Sequence, residues 1–321
     1  MNKKSDFLKM IRWEKPESLC YGFGPLAMIR EPGAKSFDAE GRDLWGVKWG
    51  TGLNDTTGRL CVVPGHDVIG DIDSWEEQLH VPDIYGPAFD YAKAAAEAAA
   101  IDREKNLVCL ASSNGIFERT HYLLGFDNCL MQLLLEPEQV GEIMDRIADF
   151  KIELIREIYR HTHFDAIFYH DDWGAKTELL FSPEIWRTVI KPRHRRVVEA
   201  VKALGDVIFI HHSDTFLEPL LPDMVEMGID VWQGCIPQND LLRLQQENRG
   251  RIGFMGGIDI AAIDHPGCPE ETIRAEVRRA VETYVPGGGF IPGVPSGGAL
   301  YPEVQRIVMD ELEKSCRELK L

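Results

Sequence analysis

From about residue 106 the chain alternates two patterns. Short, nearly continuous apolar runs at 106–112, 165–171, 207–212, 230–235, 252–256 and 289–292 are predicted as strands. Between them, segments with apolar residues at helical spacing are predicted as amphipathic helices over 137–159, 183–203, 216–227, 239–249 and 270–284. Ser182-Pro183-Glu184 supplies a cap, a proline at the first helical position and an early acidic residue, which together start a helix. Strands that are apolar on both faces belong to a parallel sheet covered by helices. With further strands expected near 19–23 and 59–63, the pattern predicts a (β/α)8 TIM-type barrel, and an open doubly wound sheet is the alternative.

Residues 1–95 break this rhythm. They are rich in Gly, Asp and Trp, and Asp43-Leu44-Trp45-Gly46-Val47-Lys48-Trp49-Gly50 reads as a strand or hairpin between glycine turns. An alanine-rich stretch over 91–103 reads as helix. No linker or repeat divides the chain, so one domain over 1–321 is expected, with 1–95 as an irregular part packed on the barrel.

The net charge of −17 argues against a nucleic-acid partner, because such binding depends on Lys and Arg neutralising phosphates. No apolar run approaches the roughly 20 residues a membrane helix needs. The first 14 residues lack the apolar core of a signal peptide, so a cytoplasmic protein is expected. The seven cysteines form no CxxC pair, which points away from a disulfide framework or a zinc finger. Neither GxGxxG nor GxxxxGK[ST] occurs, so nucleotide phosphate loops are not indicated.

Candidate chemistry lies where strands end, since ligands of parallel α/β proteins bind beyond the carboxyl ends of the strands. One apolar run leads into His170-Asp171-Asp172-Trp173-Gly174 and another into His211-His212-Ser213-Asp214. Milder polar ends are Gln233-Gly234-Cys235, Ser113-Asn114 and Gly256-Gly257-Ile258-Asp259. Strand alternation allows at most one of His211 and His212 to face the barrel mouth. His212 with Asp171 or Asp172, joined by Asp214 or Cys235, offers N, O and S donors suited to zinc. Structural readings compete at each place: a helix cap for the aspartates, a packed histidine, an inert core thiol for Cys235.

These residues resemble the uroporphyrinogen decarboxylase superfamily over roughly 43–311. The resemblance is carried by Asp43-Leu44-Trp45-Gly46 with Trp49, Gly115-Ile116-Phe117-Glu118, Leu124-Gly125-Phe126, Leu135-Glu136-Pro137-Glu138-Gln139-Val140, Asp171-Asp172-Trp173-Gly174, Lys191-Pro192-Arg193, His212-Ser213-Asp214 and Gly287-Gly288-Gly289-Phe290. The corrinoid- and zinc-dependent methyltransferases look like the nearer branch. The Arg-x-Ala-Gly-Arg-Tyr element with which decarboxylases grip substrate carboxylates has no counterpart; Arg30 near Phe23-Gly24-Pro25-Leu26 is a poor substitute. The His-x-Cys element of the thiol-directed methyltransferases reads His211-His212-Ser213, and no second Cys follows the last strand. Zinc held by imidazole and carboxylate suits oxygen better than sulfur. The resemblance therefore implies transfer of a methyl group from a small methoxylated, aromatic substrate to a corrinoid protein that carries the cofactor.

In that reading His212, Asp171 and one further group, Asp214 or Cys235, hold zinc, and Asp172 or His170 protonates the leaving oxygen or orients a ligand. Trp45, Trp173 and Tyr301 pack the ring, with Asn114 and Gln233 as polar contacts. Two alternatives stand beside it: a decarboxylase acting on a tetrapyrrole or other acid, and a non-catalytic binding module. A homodimer is left open.

Overall fold

The computed structural model describes residues 3–51, 60–295 and 298–319. Its strands are β1 Leu26–Arg30, β2 Trp49–Thr51, β3 Leu60–Val62, β4 Leu107–Ser112, β5 Ala166–His170, β6 Ile208–His212, β7 Val231–Cys235, β8 Gly253–Gly257 and β9 Phe290–Gly293. Seven of them form one parallel sheet in the order β1-β4-β5-β6-β7-β8-β9. Helices cross between consecutive strands, so each connection advances the sheet by one position and curls it into a barrel wall.

The expected eighth strand is corrected here: among the described residues the sheet has seven strands and is an open, curled barrel rather than a closed ring. Residues 19–23 do not run as a strand. Gly22 and Gly24 sit at φ 58° and 53°, which coils the backbone. The segment still reaches the far edge, where Gly22 N donates to Pro292 O at 2.8 Å. The other expected strand pairs outside the barrel, Leu60–Val62 running antiparallel to Trp49–Thr51, and Arg59 lies outside the described residues.

Predicted helices hold where their periodicity was long. Glu270–Tyr284 is found with the expected ends, and Pro137–Thr162 extends by three residues. Residues 183–202 form one continuous helical run with a π-helical turn at Trp186–Ile190. The pair Ile116–Leu124 and Phe126–Leu135 was not anticipated. Gly125, at φ 79°, separates them, so each is too short for its period to stand out. Among the described residues, no helix is long and apolar enough to cross a membrane.

Strand alternation sorts the side chains by face. On β5, Tyr169 meets His194 of the covering helix, whereas Phe168 lies inside against Phe23 and His212. The core on the helix side includes fully buried Trp173, Trp186 and Phe209. Each such side chain contributes about 1.5–3 kcal/mol from burial. The parallel register sets His170 level with His212, and His212 level with Gln233. Three polar residues are thereby aligned at one height across three adjacent strand ends.

Candidate metal and active site

At that height His170, Asp172 and His212 form a cluster whose donor atoms all lie within 4.8 Å of one another. His170 Nε2 is 3.4 Å from Asp172 Oδ2, and its Nδ1 is 3.2 Å from Glu118 Oε2. His212 Nδ1 contacts Gln233 Oε1. Because an amide oxygen only accepts, this contact places the proton of neutral His212 on Nδ1 and leaves Nε2 with a free lone pair. Gln233 is itself anchored, its Nε2 donating to Pro295 O at 2.9 Å. Phe168 stacks on His212 with ring centroids 5.0 Å apart.

Glu118 reaches the cluster because of how its helix begins. Gly115 N donates to His170 O at 2.7 Å, which docks the start of Ile116–Leu124 on the end of β5. The buried Asp171 carboxylate then accepts from Glu118 N at 2.9 Å and Phe117 N at 3.3 Å, capping that helix from another strand. Trp173 Nε1 adds a third bond to Asp171 at 3.0 Å.

The charges follow from burial and these contacts. For His170, burial works against the proton, but the Glu118 carboxylate and the hydrogen bond to Asp172 outweigh it and lift the pKa to about 9. Burial lowers His212 to about 4 and keeps it neutral. Glu118 is raised to about 8, chiefly by burial, with the neighbouring Asp172 and Asp171 adding to the effect against His170. For Asp172 burial is opposed by the hydrogen bond and positive charge of His170, and the net shift is downward.

These residues fit a divalent metal. Two imidazoles and a carboxylate are a donor set for a borderline ion, and three protein ligands leave room for substrate. The 3.4 Å separation of His170 Nε2 and Asp172 Oδ2 matches the edge of about 3.4 Å expected for two donors at zinc distances in a tetrahedron. Asp172 Oδ1 is buried without a hydrogen-bond partner, as an oxygen awaiting a ligand would be. Metal bound through His170 must displace its proton, so uptake and proton release are coupled.

The structure brings only part of the expected set together. His170, Asp172 and His212 meet; His211 turns to the helix side, as alternation requires, and stacks on Trp173 at 4.2 Å. Asp171, expected as a ligand, is instead engaged at the helix start. Cys235 is buried with its Sγ directed to Trp232 O, and burial pushes its thiol far up. Asp214 lies outside the donor cluster, although its charge acts on His170.

Of the expected ring-packing residues, Trp173 is fully buried behind the strand ends. Trp45 and Asn114 line a separate small cavity of about 30 Å³ beside Arg119 and Lys151. Tyr301 is exposed at the start of Pro302–Glu318. Gln233 is at the cluster, holding His212. Glu118 was not singled out from sequence; its only signal was its place in Gly115-Ile116-Phe117-Glu118.

A strand-by-strand α/β barrel with ionisable residues gathered at its carboxyl ends defines a TIM-barrel-like fold of enzymatic type. The chain belongs to the uroporphyrinogen decarboxylase family: the model described as Uroporphyrinogen decarboxylase (URO-D) matches residues 49–318. A curated relative, "Uroporphyrinogen decarboxylase" of Ralstonia pickettii (strain 12J), is 25% identical over 194 residues, covering 56% of this chain. The match spans 49% of that relative's length. Among solved structures, a "methyltransferase from Methanosarcina mazei" superimposes with a TM-score of 0.71 at 13% identity, covering 98% of each chain. A B12-independent methionine synthase from Shewanella sp. W3-18-1 gives a TM-score of 0.47 at 13% identity, over 71% of this chain and 65% of that one.

Proposed function

We propose that this protein is a methyltransferase that moves a methyl group from a small methoxylated, aromatic substrate to a corrinoid carried by a partner protein, in the cytoplasm. The observation that carries the reading is the thiolate-free donor set of His170, Asp172 and His212 at the barrel mouth. Such a set favours an oxygen-directed metal such as zinc, which when bound supplies Lewis acidity to an ether oxygen. His212 is presented by Gln233 through Nε2, Asp172 contributes the anionic donor, and His170 is oriented by Glu118. Phe168 supports the imidazole of His212 by stacking on it.

Charge weighs against the decarboxylase alternative. A polyanionic porphyrinogen needs converging cations. Here Glu118, Asp172 and Asp214 act on the single cationic imidazole of His170, and Arg119 is committed to Asp43 at 2.6 Å. The test mixes metal-loaded protein with a panel of methoxyarenes and Co(I) corrinoid protein and follows the methyl-cobalt absorbance. Formation of methyl-cobalt with at least one methoxyarene is expected. No change across the panel, with metal bound, sinks the proposal.

A further inference from the structure

Each imidazole of the cluster has a side-chain oxygen behind its Nδ1, in a hydrogen bond at His212 and in an ion-pair contact at His170. His170 Nδ1 meets Glu118 Oε2 at 3.2 Å, and His212 Nδ1 meets Gln233 Oε1. His170 thereby directs Nε2 to Asp172 at 3.4 Å, and His212 is left with Nε2 as its free nitrogen. The two acceptors come from different elements, one on the helix Ile116–Leu124 and one on β7. One is a carboxyl group and the other an amide.

We infer that Glu118 and Gln233 are positioning residues for a divalent metal centre, Glu118 as a carboxyl group that backs His170 and Gln233 as an amide that fixes His212. The inference rests on the metal reading given above. An acceptor behind a ligating imidazole fixes its tautomer and ring plane and raises its basicity. Glu118 is built for this task. Its side chain is buried to 6% exposure, Tyr122 OH donates to Oε1 at 3.2 Å, and its own N–H is tied to Asp171. One carboxyl oxygen is thus occupied by the phenol, and the other, buried without a hydrogen-bond partner, lies 3.2 Å from the imidazole. Gln233 has the matching rigidity, with Oε1 on His212 and Nε2 bound to the carbonyl of Pro295. A purely structural ion pair between Glu118 and His170 would hold the helix to the barrel without affecting how a metal binds.

The test titrates Zn²⁺, and separately Co²⁺, into purified metal-stripped full-length protein, reading affinity by calorimetry and Co²⁺ ligand field by visible absorption. Glu118→Ala is expected to weaken both ions about 10- to 100-fold. Glu118→Gln, which keeps shape and hydrogen bonding, is expected to fall between Ala and wild type and to shift the Co²⁺ bands. Gln233→Met is expected to weaken binding over the same range, and thermal midpoints check that each variant is folded. Wild-type protein that binds either ion, with Glu118→Gln identical to it in affinity and spectrum, overturns the role of Glu118 alone. Wild-type protein that binds neither ion overturns this inference and the metal reading together.

Discussion

Replacing Gly115 with alanine probes how the site is assembled. A Cβ built at Gly115 would lie 2.3 Å from Asp171 Cβ, 2.4 Å from its Cγ and 2.7 Å from His170 O. Ordinary contact begins near 3.4 Å, so the helix Ile116–Leu124 and the end of β5 must separate by about 1 Å. Neither neighbour is free to give way, because one is strand backbone and the other a buried side chain. The movement stretches three hydrogen bonds: Gly115 N to His170 O, and the two from Phe117 N and Glu118 N to Asp171. Bonds to a charged acceptor contribute about 1.5–3 kcal/mol each, and overpacking alone costs about 1–3 kcal/mol. With partial relaxation we expect a loss of about 3 kcal/mol. For a chain of this length, unfolding entropy of about 0.7 kcal/mol/K turns that into a fall of about 4–5 °C in Tm. The shift also draws Glu118 away from His170, so Co²⁺ affinity drops about tenfold or more. Differential scanning calorimetry and a cobalt titration measure the two effects, with Gly70→Ala as a control whose new Cβ would meet nothing nearer than 3.8 Å. A Gly115→Ala protein with wild-type Tm and wild-type cobalt affinity refutes the close-packing argument.

The two aspartates are expected to respond in opposite ways. Asp171→Asn sets an amide N–H against donors, losing about 2–4 kcal/mol in urea unfolding and weakening metal binding without abolishing it; Asp172→Asn loses metal binding with little change in stability. Equal effects from the two would contradict the assignment. Cys235→Ala should leave zinc stoichiometry unchanged by elemental analysis, since its thiol is turned to Trp232 O; a lost equivalent of zinc would restore the cysteine as a ligand. The raised pKa of His170, about 9, stabilises the metal-free fold fully below the unfolded value of about 6.5 and is lost as pH rises through 9. Tm measured from pH 6.5 to 9.5 should therefore decline, and bound metal or His170→Asn should flatten the decline; an unchanged slope in His170→Asn assigns it elsewhere.

The alternation of apolar runs and amphipathic segments was enough to place the six strands from β4 to β9, because both periods are local properties of the backbone, whereas β1 at Leu26–Arg30 was not anticipated. Strand ends carrying histidine and aspartate pointed to the end of the barrel where His170, Asp172 and His212 meet. Alternation also separated His211 from His212. What pattern could not supply was which neighbour each carboxylate meets. Asp171 and Asp172 are adjacent and alike in sequence, yet one caps a helix 53 residues earlier and the other joins the donor cluster. That choice depends on the side to which each points, and on a helix docked close enough only because residue 115 has no side chain. Glu118 and Gln233 gain their roles from long-range register, 52 and 21 residues from the imidazoles they hold. Contacts between distant segments are fixed by packing of the whole sheet and its helices, a property that no local stretch of sequence contains.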